Sequence, residues 1–400
     1  MQNFGFRALD IGGVPDSTAL NDASHLEVVE VVDRSVFMGM EKDWNALVET
    51  TSDEPFYRHE YIRSWIDSFA PDAKLKILTG RGRTGRLVAA LPLVSERGFL
   101  YGLPVRRLVS PTNVHSYRFD LIAEDRRSAA RTFFRTLAAD DTWDVIKITD
   151  VPEGGNAWDL YKVAADAGYP SGAWESQRSP FLPLPPSYDV LEARLSSKFK
   201  ANLRRRRRRL EERGVITVER VTGGQELEQR LEDCFALERS GWKGRKGTAA
   251  AQNKRTRGFY TGLAHRAASG DYFSLFFLKI DGKPIASQYG LTRRGVYSLV
   301  MTCYDEAFRE YSPGHLLLED VMKRCVAGGL SEFDFLGCDL DWKLDWSPIV
   351  RSHHWFFIFR DNRLGRILKR AKFDWIPAAK ESLKRWRPEH GADTEAVLSQ

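Results

Sequence analysis

Cysteine is scarce in this 400-residue chain, and the four present, Cys234, Cys303, Cys325 and Cys338, stand far apart with no CxxC pair. That spacing argues against a disulfide framework or a zinc site and fits free thiols in a reducing compartment. Only His353 and His354 adjoin among the eight histidines, and no HExxH spacing surrounds them, so no metal is called for. Long hydrophobic runs are also missing. The longest apolar stretch, near 272–280, has the length of a strand and is far too short to span a bilayer. The opening Met1-Gln2-Asn3-Phe4 lacks the basic-then-apolar order of a secretory signal, and the cytoplasm is the expected location.

Charge is present in quantity but unevenly placed. The formal net charge is +6, yet residues 194–213 carry an excess of +8 and residues 360–387 an excess of +7, leaving the remainder at −9. A broadly basic nucleic-acid-binding body is not described by this pattern, so DNA is excluded as an expected partner and RNA is not favoured. At 400 residues the chain suits two domains of similar size.

Periodicity orders the rest. Residues 1–25 read as a loose leader without pattern. A strand over 26–32 precedes helices over 43–49 and 59–69, and then a hairpin pairs 75–79 with 87–94. A helix over 129–138 leads to a buried strand at 143–148 (WDVIKI). Four prolines between 180 and 186 mark the expected boundary between halves. Beyond it the spacing predicts helices over 197–212, 225–239 and 256–268. Strands over 272–280, 283–292 and 296–304 follow, joined by Asp281-Gly282 and Arg294-Gly295 turns. A helix over 316–326 and a short strand over 332–336 complete the order. Hairpin, helix, then a strand opening Trp143-Asp144 or Phe333-Asp334 recurs in both halves, which predicts two similar α/β lobes.

Several local patterns bear on chemistry. Gly80-Arg81-Gly82-Arg83-Thr84-Gly85 satisfies GxGxxG, but strand-like residues and Pro92 follow, where a dinucleotide site needs a helix. It reads as a hairpin turn. Ser312-Pro313-Gly314 precedes an apolar helix: serine suits an N-cap, proline the first turn, and glycine a close ligand approach. Such a helix start can hold a phosphate. The six arginines 204–209 lie on a helix anchored only by Phe199, Leu203 and Leu210, and like charges at this density call for an anion partner. The segment 363–386 places Leu364, Ile367, Leu368, Ala371, Trp375, Ile376, Ala379, Leu383 and Trp386 among Lys and Arg, interrupted by Pro377. A basic amphipathic helix can lie on an anionic membrane, so peripheral membrane contact through this tail is an open expectation.

Ordered blocks across 196–346 carry a family resemblance. They are Ser197-Lys198-Phe199-Lys200-Ala201-Asn202-Leu203-Arg204-Arg205, Glu238-Arg239-Ser240-Gly241-Trp242-Lys243-Gly244, and Phe259-Tyr260. Tyr304-Asp305-Glu306 with Ser312-Pro313-Gly314 follows, then Phe333-Asp334-Phe335-Leu336 with Asp339, Trp342-Lys343 and Trp346. This half resembles the BioF2-like acyltransferase domain of the GNAT superfamily, met in CelD-type cellulose biosynthesis proteins and related to the FemAB transferases.

The resemblance implies an α/β (α+β type) fold of tandem GNAT-like lobes, each a mixed, mainly antiparallel sheet flanked by helices. The expected lobes are 26–185 and 186–360, followed by a basic helical tail, 361–400. It implies an acyl-CoA-dependent N-acyltransferase, with acetyl-CoA first among the donors and no metal. The acceptor would be a small-molecule or nucleotide-linked amine. The cofactor pyrophosphate would rest on Ser312, Gly314, His315 and Leu316. The superfamily pattern there has a glycine where this chain has Ser312. Catalysis is expected from Asp339 or Glu306 as base and Tyr304 as acid, with Lys343, Trp242, Lys243 and Glu238 binding substrate. Two other readings stay open: a FemAB-like aminoacyltransferase acting on a cell-wall precursor, and a non-catalytic exopolysaccharide or cellulose biosynthesis scaffold at the membrane.

Overall fold

Alternating apolar residues and tight turns build most of the first lobe. The computed structural model describes residues 26–240 and 253–386. Strand β1 (Glu27–Val31) is followed by helices α1 (Arg34–Gly39), α2 (Glu41–Thr51) and α3 (His59–Phe69), then β2 (Lys74–Arg81), β3 (Leu87–Leu100) and β4 (Leu103–Val109). The Gly-Arg segment is the β2–β3 turn, closed by the Gly82 N–H to the Arg86 carbonyl at 3.0 Å, with Gly85 at φ +77°. The short β5 (Ile122–Ala123), helix α4 (Arg126–Ala139), β6 (Val145–Pro152), helix α5 (Ala157–Asp166) and β7 (Ser171–Pro183) complete the lobe.

The second lobe repeats the order. Helices α6 (Tyr188–Arg194) and α7 (Ser197–Glu211) precede β8 (Ile216–Val221), then α8 (Leu227–Ser240) and α9 (Lys254–Ser269). The meander β9 (Phe273–Ile280), β10 (Lys283–Arg293) and β11 (Val296–Tyr304) leads into α10 (Pro313–Ala327), β12 (Glu332–Asp334), the single turn α11 (Asp341–Leu344) and β13 (Val350–Phe359). The two meander turns place Asp281 and Gly282, and Arg294 and Gly295, at positive φ, as two-residue hairpin loops require. In each lobe an antiparallel meander ends on a parallel neighbour, β4 beside β6 and β11 beside β12.

The strands of the two lobes are exchanged. Among the described residues thirteen strands form one sheet, in the order β1-β2-β3-β4-β6-β13-β7-β12-β11-β10-β9-β8, with β5 beside β3. β13 lies between β6 and β7, while the end of β7 pairs with β12. The proline segment at the expected boundary is partly strand. Pro180 and Pro183 belong to β7, and Pro183 faces Glu332 in the register. Proline lacks an N–H to donate but still accepts: the Pro180 carbonyl receives the Phe335 N–H at 3.1 Å.

The lobes also share a core. Tyr61 and Phe69 of α3 meet Phe259 of α9 with ring centroids 5.5 and 5.3 Å apart. Tyr61 and Phe259, both buried, each contribute about 2 kcal/mol through the apolar area removed from water. Polar ties cross the same junction: Arg293 grips Asp53 at 2.8–3.0 Å, and Arg118 pairs with the fully buried Asp334.

The tail continues α12 (Arg363–Arg370), a π-helical turn (Ala371–Trp375) and α13 (Ile376–Trp386). Pro377 does not interrupt the helical path as its sequence suggests. It falls in the first turn of α13, where a missing N–H is tolerated, and the widened turn ahead of it is closed by Ile376 to Ala371. Leu364 and Leu368 pack this tail onto the sheet with Phe357 and Phe359. The leader 1–25 and the end of the tail, 387–400, lie outside the described residues.

Candidate active site

The site begins where β11 and β12 part. Their parallel ladder runs only from Val296–Glu332 to Ser298–Asp334, and then β11 continues alone to Tyr304. Beyond Ser298 the free side of β11 borders a cleft of about 580 Å³. β11 also carries a bulge: Tyr289 faces Met301 and Gly290 faces Leu299, leaving Val300 as the extra residue. The Val300 carbonyl accepts the Tyr117 hydroxyl at 2.6 Å, so the first lobe contributes to the cleft wall.

Side-chain alternation divides the cleft into two faces. On β10, Ser287 lies 3.2 Å from the Cys234 Sγ of α8, and the Tyr289 hydroxyl donates to the Tyr260 carbonyl of α9 at 3.2 Å. Gln288 between them therefore points to the opposite face, that of α10. On the α8 face the lining includes Glu238, which is buried and lies one turn beyond Cys234. On the α10 face it includes Arg206, Arg309, Ser312, Gly314 and His315.

The helix start differs from its expected chemistry in one respect. Ser312 occupies the cap position but at φ +48° and ψ +56°, and its side chain makes no capping bond. Its carbonyl instead accepts the His315 and Leu316 amides at 3.0 and 3.3 Å. Leu316 is wholly buried in the core and its amide belongs to the helix, so it is not a ligand-facing group. Gly314 keeps the wall low: a Cβ there would meet the Tyr304 ring at 3.6 Å. His315 is wedged among Phe199, Trp342 and Trp346, and the Trp346 indole N–H donates to its Nδ1 at 3.2 Å. Burial lowers its pKa, and Arg206 adds to the effect. Phe199, Trp342 and Trp346 thus earn their places in the recognised blocks by fixing this helix start.

The arginine run is not one anion-binding surface. Arg204 pairs with Glu192, Arg207 with Glu319 and Asp320, and Arg209 with Glu310. Arg206 lines the cleft without a hydrogen-bond or ion-pair partner among the described residues. A helix distributes adjacent residues around its axis, so neighbours in sequence meet different surroundings.

Other expected site residues are placed as follows. Tyr304 and Glu306 line the cleft. Asp339 is absent from its lining and lies 3.8 Å from Arg178. Lys343 lines it, but its ammonium donates to the Leu336 carbonyl and, at 2.9 Å, to the Cys338 carbonyl. It clamps the loop after β12, a role that spacing alone does not reveal. Trp242 and Lys243 lie outside the described residues. Tyr117 and Gln288 were not singled out from sequence, Arg309 stood only as the first residue of the pattern before Ser312, and Arg206 only as one of six arginines. Helical spacing puts both Arg206 and Arg207 on the Leu203–Leu210 side, and only the packed structure separates the one in the cleft from the one paired with Glu319 and Asp320.

The first lobe lacks the corresponding helix start. Asp125 caps α4, accepting the Arg127 and Ser128 amides at 3.1 Å each, and a carboxylate there repels an anion.

Residues 197–344 match the family model described as Acetyltransferase (GNAT) domain. Among solved structures, FemX superposes with a TM-score of 0.57 at 12% identity, covering 86% of this chain and 100% of FemX. The C-terminal DUF2156 domain of a putative lysylphosphatidylglycerol synthetase from Agrobacterium fabrum gives 0.51 at 13% identity, with 84% and 96% covered. A conserved protein of unknown function from Bacteroides thetaiotaomicron gives 0.52 at 11%, with 84% and 100% covered. No curated protein matches the chain. The architecture is a tandem GNAT fold whose second lobe is a GNAT-type acyltransferase domain. Residues 197–344 thus carry a GNAT-type acetyltransferase domain, and the chain as a whole shares its fold with FemX.

Proposed function

We propose that this protein is an acyl-CoA-dependent N-acyltransferase, with acetyl-CoA as the first donor to test. The observation that carries the reading is a cleft between parted strands, with Arg206 and the Gly314 helix start on one face and buried Glu238 on the other. Phosphate oxygens of the donor would meet the Gly314 amide, the helix dipole, Arg206 and Arg309. The thioester would lie along the free side of β11. There the amide of Val300, at the bulge, would polarise the thioester carbonyl.

Glu238 orients the acceptor amine and takes its proton. The amine nitrogen bonds to the acyl carbon, the carbon–sulfur bond breaks, and the thiolate takes a proton from the Tyr304 hydroxyl. Tyr304 recovers that proton from solvent, to which Glu238 releases its own. Glu306 is the second carboxylate of the cleft. Asp339 is set aside as base because it is ion-paired outside the lining. The acceptor is a small-molecule or nucleotide-linked amine.

The test is thermal protection by a panel of CoA thioesters, followed by thiol release with candidate amines. Acetyl-CoA or a longer ester raises Tm in the parent chain, and Gly314→Trp or Arg206→Glu abolishes the rise. No shift with any ester overturns the donor assignment. A second reading, aminoacyl transfer from a charged tRNA, is favoured by the exposed Arg205 and Arg208 beside the cleft helix. Protection by aminoacyl-tRNA, lost in Arg205→Glu/Arg208→Glu while CoA esters do nothing, would put that reading in its place.

A further inference from the structure

The β3–β4 hairpin and the tail helix meet in a cluster that shares no residue with the cleft lining, and their exposed surface has a composition that the transfer chemistry does not use. The hairpin tip places Phe99 at 72% exposure, Tyr101 at 46% and Leu103 at 42%. Tyr101 and Gly102 both take positive φ, +54° and +80°, in a two-residue turn. Asn or Asp is the unstrained choice at the first of these positions, and a bulky aromatic there costs stability. Its ring is not needed by the core.

The tail is the hairpin's neighbour. Leu100 shares one apolar cluster with Leu364, Leu368 and Phe373, and the Lys372 Nζ lies 5.9 Å from the Tyr101 ring. With Leu364 and Leu368 facing inward, Arg363, Arg366 and Arg370 recur on the outer face of α12. Ile367 borders them at 48% exposure and Trp375 follows at 54%. Arg366 is held by Asp361 at 2.8 Å, whereas Arg363 and Arg370 are exposed and have no ion-pair partner among the described residues.

We infer that this surface docks on an anionic lipid bilayer, with the hairpin aromatics entering the headgroup region and the arginines facing lipid phosphates. Exposed aromatic and aliphatic side chains beside unpaired cations match an interface that is polar and negative outside and apolar within. A nucleic-acid partner would use the same cations but would gain little from Phe99, Leu103 and Ile367. The inference is independent of the reaction assigned to the cleft.

The experiment is co-sedimentation of the full chain with phosphatidylcholine vesicles, with and without phosphatidylglycerol. The parent chain sediments with the anionic vesicles and is released by salt. Phe99→Ser/Tyr101→Ser lowers partitioning about tenfold, and Arg363→Glu/Arg370→Glu removes the preference for phosphatidylglycerol. Unchanged Tm in both variants excludes misfolding as the cause. Failure of the parent chain to sediment, equal sedimentation of parent and variants, or RNA binding that tracks Arg363 and Arg370 without vesicle retention each overturns the inference.

Discussion

The Tyr117 hydroxyl donates at 2.6 Å to the carbonyl of Val300, the extra residue of the β11 bulge, and thereby ties the first lobe to the cleft of the second. Tyr117 is partly buried at the junction, and loss of solvent raises its phenol to about 12, so it remains a donor throughout the working pH range. The bond is well placed to hold the bulge at Val300 in one form. Tyr117→Phe is expected to lower stability by about 1 kcal/mol. It should also lower kcat about tenfold with little change in donor KM, as loss of a transition-state donor does. Equal kcat in the two proteins would reduce Tyr117 to a packing role.

Ser312 supplies a test of the helix start. Its φ of +48° is a region that glycine enters freely and its side chain makes no capping bond there. Ser312→Gly is expected to raise stability by about 1 kcal/mol and to keep protection by acyl-CoA. Ser312→Val, branched at Cβ, should lower both. Urea unfolding with and without the ester measures the pair. Stability lost in Ser312→Gly would mean that the hydroxyl does more than the backbone shows.

Lys343 holds the loop after β12 through the Leu336 and Cys338 carbonyls. Lys343→Met keeps the stem but leaves those carbonyls unpartnered, at a cost of about 1–3 kcal/mol. A substrate-binding lysine would instead raise acceptor KM with unchanged Tm. Denaturation and steady-state kinetics together separate the two roles.

His353 gives a pH signature. It is buried beside Arg118 and Arg351, and burial first and then those cations lower its pKa to about 3. A histidine whose folded pKa lies below its unfolded value of about 6.5 stabilises the fold fully above 6.5. That contribution falls as pH drops from about 6.5 toward 3. His353→Leu should therefore flatten the acid limb of a stability profile between pH 6.5 and about 4 relative to the parent. Buried Asp120 and Asp150, raised to about 6, act in the opposite sense, so the comparison with the variant is what isolates the histidine. Parallel profiles would show that His353 is not the group that titrates.

Local sequence carried the elements whose causes are local. The Asp281-Gly282 and Arg294-Gly295 turns, the meander and the helix starting at Pro313 were legible because turn chemistry, period and proline placement act over a few residues. Trp143-Asp144 and Phe333-Asp334 likewise announced the lobe repeat. The exchange of β7 and β13 was not legible, since pairing partners more than a hundred residues apart leave no mark on periodicity. For the same reason the prolines at the boundary gave no sign that Pro180 and Pro183 belong to a paired strand.

Within the candidate site the division is similar. The sequence alone determined a helix start suited to an anion and a family-like order of blocks around it. Tertiary structure decided which charges remain available: Arg204, Arg207 and Arg209 meet carboxylates on other elements, Lys343 meets carbonyls, and Arg206 faces the cleft. It also brought Tyr117 to Val300 across the lobes. Whether a charged group binds a ligand or braces the fold depends on what lies within a few ångströms of it, and only the packed chain sets those neighbours.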